Sequence, residues 1–136
     1  MARRKHKMVL KAKKKEATAQ ASIRKGKGVV RVNSLNLNIY GPQYVREMIR
    51  EPIYLAGDAV NDVDIDVSVH GGGVMGQAIA VRGAIAKALV DFTGNDKLKK
   101  QMIAYDRLLL VDDPRRVEPK KPLGPKARRK KQHSKR

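Results

Sequence analysis

The chain has no cysteine and no tryptophan, one phenylalanine and four tyrosines. Lack of cysteine excludes disulfides and cysteine-ligated zinc, and fits a reducing compartment. The three histidines, His6, His70 and His133, stand far apart, so no metal site is expected. Aromatics are too few for the stacking platform with which single-stranded bases are usually read. Recognition of phosphate and of folded nucleic-acid shape is the expectation instead. No apolar run approaches the roughly 18 residues a membrane span needs. Only Met8, Val9 and Leu10 follow Arg3-Arg4 before charge resumes, which leaves no h-region for a secretory signal.

Acids are also scarce, 13 against 31 Lys and Arg, for a formal net charge of +18. The imbalance is confined to the ends. Residues 1–31 hold 12 cations and the single acid Glu16, and residues 115–136 hold 11 and the single acid Glu118. Residues 32–114 hold 8 cations against 11 acids. The expected organisation is a basic N-terminal arm over 1–15, a globular domain over 16–114 and an extended basic tail over 115–136. A chain of 136 residues suffices for one such domain with extensions.

Self-repelling arms with few apolar side chains do not repay the entropy of ordering on their own. Nucleic acid is the matching polyanion, because each phosphate neutralised releases condensed counterions. A membrane surface fits less well, since the tail offers only Val117, Leu123 and Ala127 where an interfacial helix needs a coherent apolar face. A free-standing protein that compacts DNA satisfies the same charge excess and is the alternative reading.

Ala17, Ala19, Ala21 and Ile23 alternate with polar residues as in a half-buried strand, and Lys25-Gly26-Lys27-Gly28 then leads into Val29, Val30 and Val32. The pair reads as a β-hairpin with a basic tip. Gly41-Pro42 opens a helix carrying Tyr44, Val45, Met48 and Ile49, which Pro52 breaks or kinks before Gly57 ends it. Residues 62–70 alternate throughout: Val63, Ile65, Val67 and Val69 face one way, Asp62, Asp64, Asp66, Ser68 and His70 the other. The three aspartates lack the Gly and Glu of an EF-hand loop and read as a solvated strand face. Residues 74–93 form a long helix, in which Gly83 is a weak spot unless another backbone packs there. A shorter helix capped by Asn95 or Asp96 follows, and Leu108, Leu109, Leu110 and Val111 suggest a last strand.

Between strand and long helix, residues 71–76 satisfy G-x-G-x-x-G, with Asp91 twenty residues past the first glycine. The acid of a dinucleotide site belongs at the end of a second parallel strand, whereas Asp91 lies within the same helix. Two readings stand. The helix amides and glycines hold a phosphate, or the segment is a tight turn with no ligand. In the tail, Pro119, Pro122 and Pro125 recur with the period of a polyproline II turn, and 22 extended residues could reach on the order of 70 Å.

Several segments together resemble the universal small-subunit ribosomal protein nine family in its archaeal or eukaryotic form. They are Gly71-Gly72-Gly73 with Gly76-Gln77-Ala78, then Arg82 and Ile85-Ala86-Lys87-Ala88-Leu89, then Asp113-Pro114-Arg115 with Glu118 and Lys120-Lys121. Lys126-Ala127-Arg128-Arg129 and Gln132-His133-Ser134-Lys135-Arg136 complete the likeness, which runs from about Ala12 to the last residue. Where the family's first strand often reads G-x-R-K-x-A-x-A-R, this chain places Gln20 at an Arg position and adds the acid Glu16.

The resemblance implies a small α+β domain, a β-sheet backed by helices with the left-handed βαβ crossover of the ribosomal protein five domain-two fold. It implies a structural, non-catalytic constituent of the small subunit of the cytoplasmic ribosome, with no cofactor and no small-molecule substrate. Its partners would be small-subunit rRNA in the head, neighbouring head proteins and the peptidyl-site tRNA. Ribosomal RNA contacts are expected in the N-terminal arm from Lys13, Lys14 and Lys15 and in the body from Lys25, Lys27, Gly72, Gly73, Gln77 and Arg82. In the tail they are expected from Arg115, Arg116, Lys120, Lys121, Lys126, Arg128, Arg129, Lys130 and Lys131. The tRNA contact falls to Lys135 and Arg136.

Overall fold

A computed structural model describes residues 8–134; His6, Lys135 and Arg136 lie outside the described residues. The sheet begins earlier than the charge pattern suggested. Strand β1, Met8–Lys14, pairs antiparallel with β2, Ala17–Lys25, so residues 8–14 belong to the body and not to a basic arm. Leu10 and Ala12 point to the core while Lys11 and Lys13 face out, which places a conventional half-buried strand inside a lysine-rich segment.

The expected hairpin between β2 and β3, Val30–Val32, does not form. Strand β5, Val63–His70, lies between them, antiparallel to β2 and parallel to β3. With β4, Leu35–Asn36, on the far side of β3, the order is β1-β2-β5-β3-β4. The 26–29 segment wraps the start of β5 instead of closing a hairpin. Asp64 Oδ1 accepts from the amides of Lys27 at 2.9 Å and Val29 at 3.1 Å, and Gly26 N donates to Asp62 O at 2.9 Å. Glycine is required at 26 because a Cβ there would overlap the Asp64 carboxylate. Asp64 is therefore half-buried and structural, and the bonds from Lys27 and Val29 hold its pKa below the ordinary carboxylate value.

Helix α1, Gln43–Ala56, supplies the crossover between the parallel strands β3 and β5. Pro52 sits buried inside it without ending it, and Gly57 closes it at φ 58°. Helix α2, Val74–Thr93, packs over β1, β2 and β5 and against α1, and buries residues on nearly its whole circumference. Small side chains make this close approach possible: Ala17, Ala19 and Ala21 on β2 and Ala78, Ala84 and Ala88 on α2 are all fully buried. Gly83 belongs to the same contact. A Cβ there would stand 3.3 Å from the Ala12 Cβ and 3.7 Å from the Leu109 carbonyl oxygen.

Helix α3, Asp96–Tyr105, is capped by Asn95, whose side chain accepts from Lys97 N at 3.0 Å. It seats Leu98 and Met102 with Leu109 in a second cluster against Ala86 and Val90. The apolar run at 108–111 is not a strand. Arg107–Leu109 is a 3-10 turn capped by the Asp106 side chain, which drives Leu109 into the core. Among the described residues no strand adds to the outer edge of β1, and side chains meet it instead: Lys13 N donates to Asp112 Oδ1 at 3.4 Å, and Lys87 Nζ donates to Lys11 O at 3.1 Å.

Candidate nucleic-acid interface

The helices cover one face of the sheet only. Directly opposed residues in a ladder share a face, so the register assigns the other face. There Val9, Lys11 and Lys13 of β1 stand beside Thr18, Gln20, Ser22 and Arg24 of β2. Next come Asp64, Asp66, Ser68 and His70 of β5, then Arg31 of β3. Gln20, Ser22, Arg31, Asn33, Ser34, Asp66 and Ser68 line a shallow polar dish on this face. Asn33 is fastened to β5 by reciprocal bonds, accepting from Val69 N at 2.9 Å and donating to Val69 O at 3.2 Å. Arg24 lies 3.7 Å from Asp66 and 3.9 Å from Asp64.

One end of the sheet gathers several of the expected contact residues. The β1–β2 turn, with Lys15 at φ 53°, abuts the segment between β5 and α2. A Cβ on Gly71 would overlap the Glu16 carbonyl, and one on Gly72 would stand 3.1 Å from Ala17. Gln77 donates to the Gly71 carbonyl at 3.1 Å. These glycines thus serve a close backbone approach within the protein. Gly73 differs, since a Cβ there would meet nothing within 4 Å. Lys13, Lys15, Gly72 and Gly73 lie together and exposed at this end.

The tail starts from the same side. Asp113, 7% exposed, accepts from Arg115 N at 3.0 Å and Arg115 Nε at 2.9 Å and pairs with the Lys14 ammonium. Hydrogen bonds from Arg115 and then from Lys14 hold its carboxyl far below the usual range, and Asp113 in turn raises the Arg115 pKa. Asp112 accepts from Lys87 at 2.7 Å. Beyond this root the described tail has no helix or strand, and Glu118 gathers Lys121 at 2.6 Å and Arg128 at 2.8 Å, which lower its pKa. Arg116, Lys120, Lys126, Arg129, Lys130 and Lys131 are exposed and without carboxylate partners among the described residues.

Four expected contacts fall elsewhere. Lys25 and Lys27 lie at the opposite end of β2, about 26 Å from the β1–β2 turn at roughly 3.3 Å per strand residue. Arg82 faces away from both groups: 12% exposed, it bridges Glu51 of α1 at 2.6 Å and Asp106 at 3.1 Å, so its charge is neutralised inside the protein. Lys14 is likewise turned inward to Asp113. Conversely, Lys11, Arg24 and Arg31 on the open sheet face were not anticipated. The signal was available in the outward positions of alternating strands, but only the register shows that they share one surface.

The family model for ribosomal protein S9/S16 matches residues 12–136. Small ribosomal subunit protein uS9 of Methanococcus maripaludis strain C5 is 43% identical over 125 residues, covering 89% of this chain and 93% of that protein. The proteins of the same name from strain C7 and from Methanococcus vannielii are each 42% identical over the same span. Since the match runs from the end of β1 through the tail, the chain belongs to the ribosomal protein S9/S16 family.

Proposed function

We propose that this protein binds small-subunit rRNA in the head of the subunit and reaches the peptidyl-site tRNA with Lys135 and Arg136. Family membership makes it a small-subunit protein of the cytoplasmic ribosome, structural and not an enzyme. The observation that carries the RNA reading is the division of charge. Lys14, Arg82 and Arg115 are paired within the folded body, while cations of the tail beyond Arg115 outnumber Glu118, the one acid there. Such a segment gains most from a dense row of phosphates. A terminal guanidinium can add a bidentate, charge-assisted contact to a tRNA phosphate.

Sucrose-gradient sedimentation of a lysate tests the assembly. The protein should migrate with small subunits; a DNA-compacting protein would instead be absent from ribosomal particles and coat duplex DNA. Deleting Lys135 and Arg136 tests the finer contact. Subunits should still assemble but retain peptidyl-site tRNA less tightly, and unchanged tRNA affinity would overturn the tRNA contact.

A further inference from the structure

We infer that the open face of the sheet is a docking surface for double-helical RNA, read by shape across the minor groove; this rests on the RNA-binding reading above. Helices back the sheet on one side, and the other side presents hydrogen-bonding side chains in place of an apolar layer. Thr18, Gln20, Ser22 and Ser68 form its centre, with Lys11 and Lys13 on one flank and Arg31 on the other. From β1 to β3 the face spans three strand spacings, about 14 Å at roughly 4.8 Å each.

Charge complementarity identifies a polyanion as the occupant. Of the two acids on the face, Asp64 is engaged by the Lys27 and Val29 amides and Asp66 lies beside Arg24. Lys11, Lys13 and Arg31 have no carboxylate within 4 Å among the described residues. The form of the polyanion follows from what the face lacks. None of the five aromatic residues is on it: Phe92 lies on α2, Tyr44 and Tyr54 on α1, Tyr105 at the end of α3 and Tyr40 in the loop before α1. His70, at one end of β5, is the single ring on the face among the described residues, too little for a platform on which successive unstacked bases could stack. A wide, shallow minor groove with 2′-hydroxyls and flanking phosphates suits short hydroxyl and amide side chains rimmed by cations. The B-DNA minor groove, about 6 Å wide, would not admit such a broad surface.

The absence of cysteine permits a direct test. Ser22→Cys on the open face and Gln101→Cys on exposed α3 each provide a single thiol for a tethered iron chelate, and both variants are reconstituted into small subunits. Hydroxyl radicals from position 22 should cut paired rRNA on both strands across a minor groove, in a pattern distinct from that of position 101. Cleavage confined to single-stranded rRNA, or none, would overturn the inference. If the variants assemble but do not cut paired RNA, the docking surface is wrong and the ribosomal reading stands; if the unaltered protein is missing from small subunits, that reading fails first.

A second measurement is independent of assembly. In binding of the full chain to a plain RNA duplex, Arg31→Gln should reduce the slope of log affinity against log salt by about 1, the loss of one phosphate contact. Gln20→Glu should weaken duplex RNA about tenfold and duplex DNA much less, since it places a repelling charge at the groove. Equal losses for RNA and DNA would overturn readout of an RNA minor groove, and no loss for either variant would show that the tail alone binds.

Discussion

Lys14 and Asp113, 99 residues apart, join the inner face of the edge strand to the root of the basic tail. The pair is largely shielded, with Lys14 12% and Asp113 7% exposed. Arg115 closes the other side of the carboxylate with its side chain and its amide. Beside it, Asp112 ties Lys87 of α2 to the outer edge of β1. The tail thus leaves the body in a direction set by protein contacts, before any RNA is met.

Asp113→Asn should lower the melting temperature at pH 7, because Lys14 keeps its inward position without a counter-charge. The pH profile gives a sharper criterion. Asp113 has a folded pKa below its unfolded value, so its stabilisation is complete above the ordinary carboxylate pKa and is lost as pH falls below about 4. Thermal melts between pH 7 and pH 2 should show the variant losing less stability on acidification than the parent. Asp64 and Glu118, whose pKa values are lowered too, titrate in the same direction and contribute to the slope that remains.

Arg82 couples α1 to the segment after α3 through Glu51 and Asp106. Arg82→Ala should destabilise the protein by about 1–3 kcal/mol, between the values typical of exposed and of buried pairs, since both carboxylates remain about one-third exposed. Urea unfolding measures that loss. Affinity of the folded variant for RNA should match the parent, whereas a drop of tenfold or more would place Arg82 at the RNA.

Two neighbouring glycines should respond differently to alanine. Gly71 has φ 78°, and a Cβ there would run into the Glu16 carbonyl, so Gly71→Ala should cost about 2 kcal/mol or more. Gly73 occupies the N-cap of α2 at φ −101° with open space around it. Gly73→Ala should cost only about 0.5–1 kcal/mol, the ordinary preference of that position for Gly over Ala. Chemical denaturation of both variants checks the contrast.

Local periodicity made β5, α2 and the Asn95 cap legible, because each is decided by residues within a few positions of one another. The rest depends on partners far along the chain. Strand β1 alternates as a strand should, yet the lysine at its inward position 14 conceals the pattern, and its counter-ion is Asp113. The segment joining β2 to β3 has the composition of a hairpin turn. It wraps β5 instead, because the amides of Lys27 and Val29 find Asp64, more than thirty residues on. Among the candidate contacts, the charge asymmetry could not separate cations paired inside the body, such as Arg82, from those on its surface.

The root of the tail sets where truncation becomes costly. Ending the chain after Arg116 removes nine Lys and Arg with Glu118, but leaves Asp112, Asp113 and Arg115 in place along the edge of β1. That variant should melt within a degree or two of the parent, because surface changes away from packed features typically alter stability by less than about 0.5 kcal/mol. Its RNA affinity should fall, with a shallower dependence on salt, as fewer counterions are released. Ending the chain after Val111 also removes Asp112 and Asp113, stripping Lys14 and Lys87 of their counter-charges and the β1 edge of its cover. The melting temperature should then drop clearly below that of the longer truncation. Equal melting of the two would mean that the tail root contributes nothing to the body, and that the direction in which the tail leaves is set by the RNA alone.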